Sequence, residues 1–173
     1  MRFATFELDG KAVWGLASDT GLHAVDSATL ARYPSLKAAI AADALASVAA
    51  NLKDSAPSVS LADAQFLPVI PDPEKILCVG LNYEAHRLEG GWPEVEHPTI
   101  FGRFANSQIG HRQPLIKPKV SDMLDYEAEL AVVIGTPGRH IAEADAMDHV
   151  AGYACYNEGS VRDWQRHTTQ FTP

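Results

Sequence analysis

The chain has 173 residues, of which 46% are hydrophobic and 21% are charged, a composition typical of a soluble globular protein. Its net charge of -8 and isoelectric point near 5.2 argue against nucleic acid as the main partner, because phosphate binding needs a basic patch. No apolar run approaches the roughly 20 residues that cross a bilayer, and the first ten residues alternate like a strand rather than a signal peptide. We therefore expect a cytoplasmic protein with no membrane partner.

The N-terminal region, residues 1–70, is predicted to be a small α+β domain. Two strands over 2–8 and 11–17 flank Asp9-Gly10, which is a strong hairpin signal, and a third strand is predicted over 21–25. Good helix formers over 36–52 predict one helix. The proline-rich stretch that follows marks a linker near residue 70.

The second region, residues 71–173, is predicted to be rich in β-structure, so the fold class is α+β. Its apolar runs and helical patterns alternate along the chain. They predict strands over 75–80, 98–104, 128–135 and 150–157, and helices over 83–91, 142–149 and after Ser160. The run over 128–135 is almost continuously apolar, which predicts a strand covered on both faces. Cys78 and Cys155 lie in apolar runs and are interpreted as structural thiols.

Two glutamates stand at the start of one of these apolar strands. Glu127 and Glu129 are two residues apart, so on a strand their side chains point to the same side, ~7 Å apart along the backbone. A solvated strand face is the alternative, but partly buried like charges call for a raised pKa, a basic partner or a metal ion. Glu158 ends a second apolar strand and could meet them. Three carboxylates make an all-oxygen site that suits Mg²⁺ or Mn²⁺, with Ca²⁺ as a further candidate.

His86 and Glu89 lie three residues apart in a predicted helix, so they share one face. An exposed ion pair is the simplest interpretation of this spacing. A histidine held by a carboxylate can also act as a general base near neutral pH.

The second region resembles the fumarylacetoacetate hydrolase family from Lys75 to the last residue, with weaker similarity before it. The segments that carry the resemblance are "CVGLNYEAH", "DYEAELAVVIG", "GRHI", "DHVAGYACYNEGSVRDWQ" and "RHTTQFTP". The resemblance implies the first part of a mixed β-sheet catalytic domain. It assigns Glu127, Glu129 and Glu158 to a divalent cation. The third position is most often aspartate in the family, and Glu158 is one methylene longer.

The resemblance also assigns roles around the cation. His86 and Glu89 match a catalytic dyad in which the glutamate orients the histidine and the histidine activates water. Arg162 and Gln165 match positions that hold the carboxylate and keto oxygens of the substrate. Arg103 replaces the usual lysine, so it could bind an anion or only stabilise the fold.

Family proteins continue past the last residue of this chain, so we expect a chain truncated at its C-terminus, and by analogy a homodimer. The expected activity is metal-dependent hydrolysis of a carbon–carbon bond in a β-diketo or acylpyruvate-type acid, in the breakdown of aromatic or related carboxylic acids. The alternatives are decarboxylation, hydration or isomerisation of 2-oxo acids on the same site. A non-catalytic metal-binding scaffold is the competing class.

Overall fold

The computed structural model describes residues 1–168, which begin with a four-stranded antiparallel sheet. The sheet has the order β3-β2-β1-β4, and its strands are β1 (Arg2–Leu8), β2 (Lys11–Ala17), β3 (Leu22–Ala24) and β4 (Gln65–Phe66). Asp9 and Gly10 have φ angles of 51° and 73°, as a type I′ hairpin turn requires. The three strands predicted from the sequence are therefore confirmed.

Three short helices follow the third strand: α1 (Ser27–Arg32), α2 (Leu36–Ala41) and α3 (Leu45–Leu52). The prediction of a single helix over 36–52 was wrong, because Asp43 adopts a left-handed φ of 51°. The N–H of Ala44 then donates to the carbonyl of Ala39 at 2.9 Å, a bond that closes the end of α2.

The sheet and these helices enclose the main hydrophobic core. One cluster combines strand and helix residues, namely Trp14, Val25, Leu36, Ala39, Ala44 and Val48. A second cluster contains Ala4, Phe6 and Leu22 and packs against Val59 and Phe66, among others. Full burial of Trp14 and Phe6 anchors the N-terminal region independently of the acids further along the chain.

The second region contains two antiparallel strand pairs. β5 (Ile76–Gly80) pairs with β6 (Thr99–Arg103), and α4 (Glu84–Glu89) lies between them in the chain. β7 (Leu124–Ile134) pairs with β8 (Val150–Val161), and α5 (Arg162–Gln165) follows at once. Short 3₁₀ helices occupy Ala105–Ser107 and Glu143–His149, so the helix predicted over 142–149 is of this tighter type.

β7 alternates between half-buried and exposed residues, so the prediction of a strand covered on both faces was wrong. The face opposite the glutamates exposes large apolar side chains, among them Tyr126, Leu130 and Ile134. Cys155 lies on this exposed face, contrary to its interpretation as a buried structural thiol, whereas Cys78 is buried. The sequence predicted the apolar character of the strand, but a run of apolar residues does not reveal whether both faces are covered.

β8 is longer than predicted and includes Ser160, which is buried within the strand. Ser160 therefore does not cap α5; the helix begins after Val161 without a side-chain cap. The architecture is a strand-rich α+β fold in which every strand pair among residues 1–168 is antiparallel. Within the same range, no helix has the length and apolarity to cross a membrane. The domain boundary at residue 70 and the homodimer stay predictions.

Candidate metal and substrate site

The β7–β8 hairpin brings the three predicted metal ligands to one face. Glu127 lies directly opposite Glu158, and Glu129 lies opposite Tyr156. Directly opposed residues of an antiparallel pair have their Cβ atoms roughly 5 Å apart. The side chains of Glu127 and Glu158 are only 17% and 5% exposed. The register of one hairpin therefore concentrates three carboxylates in a partly buried space.

Glu129 shows the electrostatic consequence of this crowding. Burial, followed by the negative charges of Glu158 and Glu127, raises the pKa of the Glu129 carboxyl. Arg103 and His86 act in the opposite direction with smaller effects. The negative neighbours of Glu129 therefore outweigh its positive neighbours on this face of the hairpin.

Arg103, at the end of β6, provides the positive charge for Glu158. Its Nε donates to Glu158 Oε1 at 2.5 Å, and its Nη2 donates to the backbone carbonyl of Gly159 at 3.0 Å. The Arg103 side chain is 12% exposed, so this ion pair is nearly shielded from water. Two nitrogens of the guanidinium therefore bond to the β7–β8 hairpin.

Arg162, the first residue of α5, provides the positive charge for the other end of the cluster. Its Nη1 lies 3.0 Å from Glu127 Oε1, and its Nε donates to Asp125 Oδ2 at 3.0 Å. The same Nη1 donates to Gln165 Oε1 at 3.2 Å, so the two predicted substrate ligands touch each other. The Arg162 bond lowers the pKa of the Asp125 carboxyl. Asp125 was not predicted as a site residue.

His86 lies at the edge of the same cluster. Its Nε2 is 4.0 Å from Glu127 Oε2, close enough for attraction when the imidazole is protonated. Its predicted partner Glu89 is exposed at the end of α4, and in the described part of the chain no hydrogen bond or ion pair joins the two. The predicted His86–Glu89 dyad therefore stays a prediction.

Tyr83 connects the helix that carries His86 to the hairpin. It is the residue before α4, and its hydroxyl accepts a hydrogen bond from the Leu130 N–H at 3.0 Å. Leu130 directly follows the metal-ligand candidate Glu129 in β7. No local pattern could indicate this contact, because the two residues are 47 positions apart.

Two further buried groups line the carboxylate face. Burial, followed by the neighbouring Glu158 carboxylate, raises the pKa of the Cys78 thiol to about 12. Burial also raises the pKa of Tyr156. Cys78 is therefore a neutral thiol at physiological pH and not a nucleophile.

The three glutamate carboxylates have the oxygen donors that a hard divalent cation prefers, although two of them form ion pairs with arginines. Among residues 1–168, no group of three His, Cys, Asp or Glu side chains is arranged to hold a metal ion. Each arginine engages one oxygen of its glutamate, Arg103 that of Glu158 and Arg162 that of Glu127. Three carboxylates on one face, with Glu129 disfavoured as an anion, remain the donor chemistry that Mg²⁺ and Mn²⁺ prefer.

Three acids on one face of the β7–β8 hairpin, with two arginines and a histidine from neighbouring elements beside them, define a candidate site for a cation and an acidic small molecule. Residues 75–173 match the family model described as fumarylacetoacetate (FAA) hydrolase, C-terminal. The chain belongs to the fumarylacetoacetate hydrolase family.

Curated relatives match over the same region. Oxaloacetate tautomerase fahd2, mitochondrial, from Xenopus laevis is 47% identical over 107 residues, which cover 62% of this chain and 34% of the relative. The human oxaloacetate tautomerase FAHD2A, mitochondrial, is 42% identical over 109 residues, which cover 63% of this chain and 35% of the relative. The chain thus spans about a third of the length of these relatives.

A solved structure matches nearly the whole chain. A Mycobacterium smegmatis protein provisionally named HpcE has a TM-score of 0.80 and 31% identity, covering 97% of this chain and 58% of that protein. The N-terminal region and the hairpin therefore occur together in a known fold.

Proposed function

We propose that this chain carries the metal and substrate site of an enzyme that enolises a small 2-oxo dicarboxylic acid, as an oxaloacetate tautomerase does. The observation that carries the proposal is the register that opposes Glu127 and Glu158 beside Arg162 and His86. The 47% identity to the Xenopus tautomerase over the region that contains the site supports this reaction class.

Glu127, Glu129 and Glu158 would hold one Mg²⁺ or Mn²⁺ ion. When bound, the ion would supply a Lewis acid that stabilises negative charge on the keto oxygen of the substrate. The surroundings of Glu129 support this assignment, because a divalent cation would offset both the burial and the repulsion that raise the pKa of its carboxyl.

Arg162 and Gln165 would orient the substrate. Arg162 uses Nε and Nη1 for bonds to Asp125, Glu127 and Gln165, so its Nη2 is the nitrogen left for an anionic group. A guanidinium suits a planar carboxylate, and Asp125 and Glu127 hold it in place. The amide of Gln165 adds a donor at the same end of the site.

His86 would move the proton. Its Nε2 lies 4.0 Å from Glu127 Oε2, and Glu127 also contacts Arg162, which would hold a carboxylate of the substrate. Histidine side chains are common general acids and bases in enzymes. Tautomerisation needs only this proton transfer between carbon and oxygen, with no activated water.

Hydrolysis of an acylpyruvate is the second candidate, and the spacing of His86 and Glu89 in α4 favours it. This reaction needs a water molecule activated by a histidine that a carboxylate orients. Glu89 is exposed, and among residues 1–168 no hydrogen bond or ion pair joins it to His86, so the dyad would have to form when substrate binds. Tautomerisation is the first candidate because it does not require that change.

The test is turnover by the purified protein with Mn²⁺, with oxaloacetate enol–keto conversion and pyruvate release from acylpyruvates followed in parallel. We expect His86→Ala to lose ~10² to 10⁴ in the rate of enol–keto conversion, as general-base removal does. The matched control is His97→Ala, an exposed histidine in the loop before β6. Parent-rate tautomerisation by His86→Ala would contradict the assigned role, and pyruvate release without tautomerisation would favour the hydrolase.

A further inference from the structure

Arg103 and Glu158 form the most buried ion pair of the site. They lie 55 residues apart, at the end of β6 and within β8, and their side chains are 12% and 5% exposed. The guanidinium bonds both the carboxylate and the backbone carbonyl of Gly159, the next residue in the strand. This double attachment fixes the guanidinium to the strand that carries Glu158.

The partners of Arg103 distinguish it from Arg162. Both arginines direct two guanidinium nitrogens at their own chain, and both are largely buried. Arg103 bonds a carboxylate that is 5% exposed and a backbone carbonyl, whereas Arg162 bonds the half-exposed Asp125 and the side chain of Gln165. Arg103 is therefore held against the strand that carries Glu158, and Arg162 lies nearer the accessible end of the site.

We propose that Arg103 is a positioning residue for Glu158, which it holds by one carboxylate oxygen so that the other oxygen is left for a divalent cation, and that it does not bind substrate. The inference rests on the proposed function, because it takes Glu158 as a metal ligand. Arg103 engages Oε1 of Glu158, which leaves the second oxygen of that carboxylate outside this bond.

Physical chemistry explains why Glu158 needs such a partner. An almost fully buried carboxylate without a cation loses its hydration without compensation, which is strongly unfavourable. Its neighbours Cys78, Glu129 and Tyr156 provide no positive charge, and Glu129 adds a second carboxyl group beside it. Arg103 offsets the burial cost and also restricts the rotation of the carboxylate. Groups that orient a ligand in this way typically change metal affinity by about 10- to 100-fold when removed.

The test is Mn²⁺ affinity, measured by the loss of the free-ion signal in electron paramagnetic resonance. Arg103→Met removes both the positive charge and the hydrogen-bond donors of the guanidinium. Arg103→Lys keeps the charge but lacks the planar guanidinium. We expect about 10- to 100-fold weaker binding for Arg103→Met and a smaller loss for Arg103→Lys. We also expect a changed bound-Mn²⁺ spectrum, which a general loss of stability would not produce. Arg139→Met, at an exposed arginine, is the matched control and should bind Mn²⁺ like the parent.

A second measurement covers the case in which a variant folds poorly. Urea unfolding of the metal-free parent, Arg103→Met, Glu158→Gln and the double variant gives the coupling between the two residues directly. We expect the double variant to be less destabilised than the sum of the single variants. Additive effects would overturn the pairing on which the inference rests.

The outcomes separate this inference from the proposed function. Parent-like or tighter Mn²⁺ binding by Arg103→Met, with a raised KM for oxaloacetate, would overturn the positioning role and leave the proposed function intact. A parent that binds no Mn²⁺ would overturn both. Weaker Mn²⁺ binding by Arg103→Met, with the KM restored at saturating Mn²⁺, supports the inference even if the preferred reaction proves to be hydrolysis.

Discussion

Replacement of Arg162 by methionine tests the electrostatic account of the site most broadly. The substitution keeps much of the aliphatic side chain and removes the charge that faces Glu127 and Asp125. Glu127 is 17% exposed, so the loss leaves a poorly solvated carboxylate near Glu158 and Glu129. His86 then becomes its nearest positively charged partner, and only when the imidazole is protonated.

The magnitude follows from the two ion pairs that disappear. The pair with Glu127 is largely buried, and removal of the partner of a buried polar group costs about 1 to 3 kcal/mol. The contact with Asp125, a side chain that is 47% exposed, contributes at most about 1 kcal/mol. We therefore expect Arg162→Met to lower the free energy of unfolding of the metal-free protein by roughly 1 to 4 kcal/mol.

The dependence of the stability on acidic pH provides a second test of the contact between Arg162 and Asp125. Arg162 lowers the pKa of Asp125 in the folded state, so the pair stabilises the protein above the unfolded pKa of Asp125. That contribution is lost as the pH falls through the lower, folded pKa. The variant should therefore lose less stability than the parent over this acidic range.

The assay is urea unfolding of parent, Arg162→Met and the exposed control Arg139→Met, with and without Mn²⁺. Mn²⁺ at 100 times its Kd should raise the free energy of unfolding by about 2.7 kcal/mol in any variant that still binds it. Arg162→Met should keep this gain, because the guanidinium is not a ligand of the ion. An unchanged urea midpoint, or loss of the Mn²⁺ effect, would refute the assigned arrangement.

Two further predictions concern single side chains of the hairpin. Folding raises the pKa of the Glu129 carboxyl. The contribution of Glu129 to stability is therefore present at low pH, where the carboxyl is protonated, and is lost as the pH rises through the folded pKa. Glu129→Gln should therefore stabilise the metal-free protein at pH 7 while weakening Mn²⁺ binding, and an equal or lower urea midpoint would contradict this. Tyr83→Phe removes the acceptor for the Leu130 N–H, so hydrogen exchange at that amide should accelerate, and unchanged exchange would show that the bond is not formed in solution.

The local elements of the N-terminal region could largely be predicted from the sequence, because their signals are local. Asp9-Gly10 predicted its hairpin turn correctly through the left-handed preference of these residues. The break in the helix over 36–52 was not predicted, because Asp43 is followed by alanine rather than glycine, and a single aspartate adopts the left-handed region only occasionally. Tertiary packing on Trp14 and Leu36 decides where the two helices end.

The candidate site was only partly predictable for a related reason. The spacing of Glu127 and Glu129 indicated a shared face, and the position of Glu158 at the end of a second apolar strand indicated that it could meet them. The partners of these acids depend on contacts between distant segments, such as Arg103 with Glu158. Spacing along the chain carries no information about such pairs. For the same reason Asp125 and Tyr83 were not predicted as parts of the site.

The most direct test of the central claim is a Mn²⁺ titration of the parent, Glu127→Gln and Glu158→Gln. Glu143→Gln, at an exposed glutamate in the 3₁₀ helix before β8, serves as the matched control. We expect the parent and Glu143→Gln to bind one ion each, and we expect binding to be weakened by at least about 10-fold in both site variants. Equal affinity in all four proteins would contradict the claim that these opposed carboxylates form a metal site.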